Sequence, residues 1–256
     1  KGIFIDESEC FEEKNIKFIE AFLYEKKYIF NIFYCESLNI YNNVNIFKKP
    51  LEYIDFNEKI SLNKNYRQQK NIIDFSNRFC ENANEYIKTL RNNVNRDLYK
   101  KSNSILKNGI TSQIVKVDDL EDQINAILWE IEYLVKNKGL DYGDIAIVFP
   151  YNKKKLKNGK TIYFQYLLRK ALDDVNIPYI IGDDDLTKHA KKTGITLSNL
   201  YFIKNLEYKA VVFCELEMLY NQTINKEDQD YQINDFIGDL NKIYMVINRA
   251  SEYLTI

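Results

Sequence analysis

Short apolar, β-rich runs alternate with amphipathic helical stretches along most of this chain, and that rhythm restricts the fold more than any single motif. IFIDE (3–7) is a short buried-strand run. KNIKFIEAFLYEK follows with Ile16, Ile19, Phe22 and Leu23 at helical spacing, and YIFNIFYC (28–35) is again strand-like, so the three make one βαβ unit. Further on, DLEDQINAILWEIEYLVKNKG puts Ile124, Ile127, Leu128, Ile131, Leu134 and Val135 on one face. Asp118 and Glu121 are spaced as a capping box, and Gly139 is the stop. DIAIVF (144–149), a helix near 162–175, IPYIIG, ITLS and KAVVFCEL continue the alternation. In QINDFIGDLNKIYMVINRA, residues Ile233, Phe236, Ile237, Leu240, Ile243, Tyr244 and Ile247 form a single stripe. The expected class is α/β with a mostly parallel sheet.

Composition narrows the function less than the fold. A chain of 256 residues can bury a core as one large or two small domains. Lys and Arg total 36 against 37 Asp and Glu, so the net charge of -1 argues neither for nucleic acid nor against a local basic groove. Cys10, Cys35, Cys80 and Cys214 are scattered without a C-x-x-C pair. With His189 as the single histidine, no zinc set is expected, and a reduced, cytoplasmic compartment is the plain reading. No apolar run approaches the roughly 18 residues of a membrane span, so no membrane association is expected. The polar, basic segments 91–112 and 151–161, with KKKLK inside the second, read as surface loops.

The chemistry-bearing residues begin at the first strand. An apolar strand ending in Asp6-Glu7 suits nucleotide hydrolysis, in which one carboxylate serves Mg²⁺ and the next the attacking water; by itself it also suits a helix cap. Three later segments follow in order. LNKNYRQQKNIIDFSNRF places Tyr66 and Arg67 between an extended stretch and a helix. ITLSNLYFIKNLEYKAVVFCELE places Lys204, Leu206 and Glu207 just before a strand. KIYMVINRASEYLTI places Arg249 late in an amphipathic helix and ahead of a final strand.

Together with IFIDESECF, these segments resemble motifs II, IV, V and VI of the UvrD/Rep-like superfamily 1 DNA helicases, in that family's order, and the resemblance covers nearly the whole chain. It implies a RecA-like, P-loop NTPase-type three-layer α/β fold. Residues 1–60 would be the last βαβ piece of a first motor domain, and 61–256 a second, minimal motor domain, since little sequence separates GDDDL from ITLSN. It further implies that Asp6 holds Mg²⁺ through water and Glu7 orients or deprotonates the hydrolytic water. Tyr66 would stack on adenine and Arg67 reach the γ-phosphate. Lys204 and Glu207 of motif V would lie at the nucleotide, Glu207 at its sugar, and Arg249 would be the arginine finger. ATP and Mg²⁺ are the implied cofactors, and single-stranded DNA or a single/double-strand junction the implied partner.

Departures from the family pattern are as specific. Glu9 stands where a glutamine follows the DE pair, and FYCESLNIYNN keeps Ile40 and Tyr41 of motif III but has no glutamine. Tyr201 and Asn205 replace the His and Gly of motif V, and Asn248 replaces the Thr of motif VI. No G-x-x-x-x-G-K-[ST] phosphate loop occurs, although the family carries one upstream of the DE strand. The expectation is therefore a fragment that contributes carboxylates and arginines but needs a further N-terminal motor segment, and that is inactive alone. Two readings stay open: the C-terminal half of an ATP-dependent helicase or translocase, and a degenerate helicase-like module that binds or regulates, for instance by docking a partner nuclease.

Overall fold

In the computed structural model, the described residues are 2–21, 29–41, 51, 54–90, 96–110, 112–152, 154–155, 161–182, 193–219 and 229–256. His189, Phe22, Leu23, most of KKKLK and the GDDDL stretch beyond Gly182 lie outside them. In chain order the strands are β1 (Gly2–Ile5), β2 (Ile29–Ile32), β3 (Lys64–Asn65), β4 (Asn103–Ser104), β5 (Ile145–Phe149), β6 (Lys154–Lys155), β7 (Thr161–Ile162), β8 (Tyr179–Ile181), β9 (Ile195–Asn199), β10 (Tyr208–Phe213) and β11 (Ala250–Thr255). The α-helices are α1 (Glu13–Ala21), α2 (Lys70–Leu90), α3 (Leu120–Lys138), α4 (Phe164–Asp174) and α5 (Gln229–Ile247).

The chain divides into two compact units. One comprises residues 1–63, 78–101 and 226–245; the other comprises 64–77, 102–225 and 246–256. The second unit is α/β, with a five-stranded, all-parallel sheet in the order β11-β10-β5-β9-β8. Of these five, the strand that comes first in the chain is central, so the connections run to β8 and β9 on one side and to β10 and β11 on the other. Every residue of β5 is buried, as a parallel strand covered on both faces must be. Ile127, Ile131 and Leu134 of α3 and Phe164, Leu168 and Leu172 of α4 pack with Ile145, Ile147, Leu197 and Val212 in one core, which is why the periodicity of both helices is legible.

Two local features of α3 show what spacing does and does not determine. The N-cap is Asp119 rather than Asp118: its carboxylate accepts from the amides of Glu121 and Asp122, one residue along from the expected box. Adjacent aspartates give the same sequence signal, and only the backbone's entry into the helix chooses between them. The stop at Gly139 is as expected, with φ 69° and its amide bonded to the Val135 carbonyl. A Cβ there would meet nothing within 4 Å, so Gly139→Ala tests backbone conformation alone. It is expected to cost about 1 kcal/mol in urea unfolding, without change of fold.

In the first unit β1 and β2 pair in parallel, from Gly2 opposite Ile29 to Ile5 opposite Ile32. Ile5 and Ile16 are buried with Ile3, Ile19, Phe30 and Ile32 around them, so α1 covers one face. The alternate side chains of the other face stay in solvent, Phe4 at 66% and Ile29 at 64% exposure. A second cluster joins α2 to α5 through Cys80, Ala83, Ile87 and Ile237, with Leu98 and Tyr99. The expectation of a surface loop across 91–112 is therefore corrected: Leu98 and Tyr99 are core residues, and Arg96 makes a forked, two-bond ion pair with Glu36. The segment is polar overall, but two buried side chains, Leu98 and Tyr99, set directly between Asp97 and Lys100, suffice to anchor it. In the other segment, Lys154–Lys155 and Thr161–Ile162 form a short antiparallel pair.

Candidate functional site

In the second unit the site grows from an asparagine turn. The Asn65 side-chain oxygen accepts from the amides of Arg67 (3.0 Å) and Gln68 (2.9 Å), holding Tyr66 and Arg67 at the tip of a tight bend before α2. Gln68 is fully buried; its side-chain Nε2 donates to the Ala250 carbonyl at 2.8 Å, and the Gln69 backbone amide donates to the Ser251 carbonyl at 2.8 Å. The tip is thereby tied to the start of β11. Tyr66, 67% exposed, offers a ring face to solvent.

Arg67 reaches two groups that are remote in sequence. Its Nη1 donates to the Glu207 carboxylate at 2.5 Å, and its Nη2 to the Asn248 carbonyl at 3.1 Å. Glu207 immediately precedes β10, and Asn248–Arg249 immediately precede β11, so the cluster lies at the amino-terminal edge of the sheet. Beside it a cleft of about 480 Å³ is lined by Asp141, Asp144, Glu207, Lys209 and Ser251, with Lys209 paired to Asp144 at 2.9 Å. Lys204, half-buried, lies in the turn between β9 and β10. In that turn the Asn199 carboxamide oxygen accepts from the Tyr201 and Phe202 amides, and Asn205 takes a left-handed φ of 68°. Asparagine is among the few non-glycine residues that adopt this conformation readily.

Arg249 departs from its expected placement. The α5 helix ends at Ile247, so Arg249 sits in the following turn, its amide bonded to the Val246 carbonyl and its own carbonyl accepting from Tyr208. It is 8% exposed rather than projecting from a helix face. Truncating a buried arginine removes packing along its whole stem as well as its charge. Arg249→Ala is accordingly expected to lower the thermal midpoint by several degrees, as read by circular dichroism.

In the first unit the strand β1 delivers the acidic residues. Glu7 adopts a left-handed conformation (φ 52°, ψ 39°), and its amide donates to the Asp6 carboxylate at 2.9 Å. Asp6 is exposed and Glu7 half-buried. Glu9 is buried and accepts from the Cys35 amide at 3.3 Å, while Ser8 bonds the Phe33 carbonyl through both its amide and its hydroxyl. Ligand atoms of Glu7, Glu9 and Cys10 lie within 4.8 Å of one another, and Asp6 is outside this group. Two carboxylates suit Mg²⁺, whereas a thiol does not. Burial pushes the neighbouring Cys35 thiol up from its ordinary pKa.

Sequence reasoning did not single out Asn65, Gln68 or the backbone carbonyl of Asn248. An asparagine two and three residues ahead of the amides it accepts from is a legible turn signal in N-Y-R-Q. A backbone carbonyl has no signal in sequence at all.

No protein-family model matches the chain. Over 120 residues, 46% of this chain, it is 28% identical to a subunit of the ATP-dependent helicase/deoxyribonuclease of Bacillus cereus strain AH187. The same protein of Bacillus cereus strain G9842 is 29% identical, and that of Bacillus anthracis 28% identical, over the same length. The match spans 10% of the length of each of these relatives. Among solved structures, the C-terminal domain of a possible DNA helicase from Lactobacillus plantarum WCFS1 superposes with a TM-score of 0.43 and 16% identity, covering 74% of this chain and 84% of that one. No helix among the described residues is long and apolar enough to cross a membrane.

Proposed function

We propose that this chain is the C-terminal part of an ATP-dependent, UvrD-like DNA helicase or translocase. The observation that carries the reading is the convergence within one unit of Arg67 with Glu207 and with Asn248, next to Arg249, from segments 140 and 181 residues away. A planar guanidinium held by fixed partners is pre-organised to meet phosphoryl oxygens, and a carboxylate beside a cleft can accept from ribose hydroxyls. In this reading Arg67 faces the γ-phosphate, Tyr66 stacks on the base, Glu207 and Lys204 contact the nucleotide, and buried Arg249 holds the turn from which it would act as a finger. Asp6 and Glu7 supply the carboxylates for Mg²⁺ and water. Bound ATP with Mg²⁺ supplies the phosphoryl group that is transferred. Single-stranded DNA or a strand junction is the partner, and the helicase/deoxyribonuclease relatives favour a nuclease within the same assembly.

Without a phosphate loop, purified 1–256 is expected to release no phosphate from ATP, with or without single-stranded DNA. DNA-stimulated hydrolysis by this chain, abolished by Glu7→Gln, would overturn the fragment reading. A second reading is favoured by the closed character of the Arg67 network and the burial of Arg249, both of which also suit a structural role. It makes the chain a degenerate helicase-like module that binds or regulates.

A further inference from the structure

Outside the nucleotide-type residues, the second unit carries an apolar groove of about 480 Å³ between α3 and the last strand. Val115, Ala126, Trp129, Tyr133 and Leu254 line it, and Trp129 is 78% exposed. Its floor is polar but satisfied: Glu130 accepts from Gln113 at 3.0 Å and from the Thr255 hydroxyl at 2.8 Å.

Residues 113–115 extend the sheet by one further parallel partner outside β11. Gln113 uses both its backbone groups on that strand, donating to Leu254 and accepting from Ile256, and the Val115 amide donates to Ile256. Alternation then turns the N–H and C=O of Ile114 away from β11, towards the open edge, with its side chain 72% exposed. Such an edge is a template for another strand.

We propose that this groove and edge bind an extended peptide of a partner protein, added as a strand beside residues 113–115. Main-chain bonds to Ile114 would give the peptide its register, and its alternate apolar side chains would enter the groove against Trp129 and Val115. The charge pattern selects the partner. Among the described residues, the one charged group lining the groove is the carboxylate of Glu130, and Asp122 lies on the same helix face one turn before Ala126. The run from residue 116 into the first turn of α3 adds Asp118, Asp119 and Glu121 against Lys116, and Lys138 lies over the Tyr133 ring, so carboxylates outnumber cations around the groove. A nucleic acid needs a run of cations along its backbone path and meets mainly carboxylates here, with Lys116 and Lys138 as the nearby cations, whereas a peptide with lysine or arginine flanking its apolar residues complements the acidic excess.

Trp129 is the only tryptophan, so its emission reports on this groove alone. Twelve-residue peptides selected from a random phage library on the full chain are expected to alternate apolar residues, to carry flanking Lys or Arg, and to shift Trp129 emission. By fluorescence polarisation of the labelled peptide, Ile114→Pro and Trp129→Ala should each weaken binding by about tenfold or more, and Asp122→Lys should weaken it most at low salt. Neither Ile114 nor Trp129 is buried, so thermal midpoints near that of the parent chain are expected. The proposal is overturned if selection yields no binder or if binders ignore these variants. It is overturned equally if an oligothymidylate shifts Trp129 emission, which marks a nucleic-acid surface, or if sedimentation shows self-association lost in Trp129→Ala, which marks a second copy as the occupant.

Discussion

On the proposed reading, Arg67→Ala in a protein that joins this chain to a phosphate-loop domain is expected to lower DNA-stimulated ATP hydrolysis by roughly 10³-fold or more, the scale of a lost phosphate-facing arginine, while leaving the fold intact. Its ion pair with Glu207 is half-exposed, with 39% and 54% of the two side chains accessible, and such pairs contribute about 0–1 kcal/mol. Stability should therefore barely register the change. The loss should fall on kcat more than on nucleotide affinity, because the charge that a guanidinium meets grows during phosphoryl transfer. Arg67→Lys should rescue poorly: one ammonium cannot serve two directions as the fork serves Glu207 and Asn248. Arg67 is a cleaner probe than Arg249, whose burial couples any effect on turnover to folding. Normal hydrolysis by Arg67→Ala would favour the binding-module reading. A large fall in the thermal midpoint would make the network structural.

The largest expected effect on stability is at Asn241, in the first unit. This fully buried side chain donates to the Asn39 carbonyl at 2.8 Å and accepts from the Tyr99 hydroxyl at 2.7 Å. It thus holds residues 36–39 and the chain after α2 to one turn of α5. Asn241→Ala removes the partner of the buried Tyr99 hydroxyl and a donor to the Asn39 carbonyl, and should cost roughly 2–4 kcal/mol in urea unfolding. Tyr99→Phe alone should cost less, about 1–2 kcal/mol, since only the Asn241 oxygen loses its partner. The two substitutions should be strongly non-additive in a double-mutant cycle, because both break the same bond. Additive losses would show that Tyr99 and Asn241 act independently. The forked Arg96–Glu36 pair anchors the same segment from a second side, with the bonded carboxylate raising the arginine's pKa further.

Much of the architecture is written in side-chain periodicity. The strands IAIVF and YKAVVF and the stripes of α3 and α4 are legible because each element buries, in one core, a face that recurs at its own period, and the stripe of α5 is legible in the same way because it packs with α2. Periodicity ends where single contacts begin. Which of Asp118 and Asp119 caps α3, that Tyr99 is core within a polar stretch, and that Arg249 lies past its helix and is buried were decided by tertiary packing. The candidate site divides in the same way. For the second unit, the residue types and their order along the chain, Tyr66, Arg67, Lys204, Glu207 and Arg249, were determined by the sequence alone, as were Asp6 and Glu7 of the first unit. That Arg67 meets Glu207 and a backbone carbonyl at Asn248 was decided by the sheet, which sets the starts of β10 and β11 side by side. A hydrogen bond between residues 181 apart depends on where two backbones pass, and no local pattern of residue types carries that information.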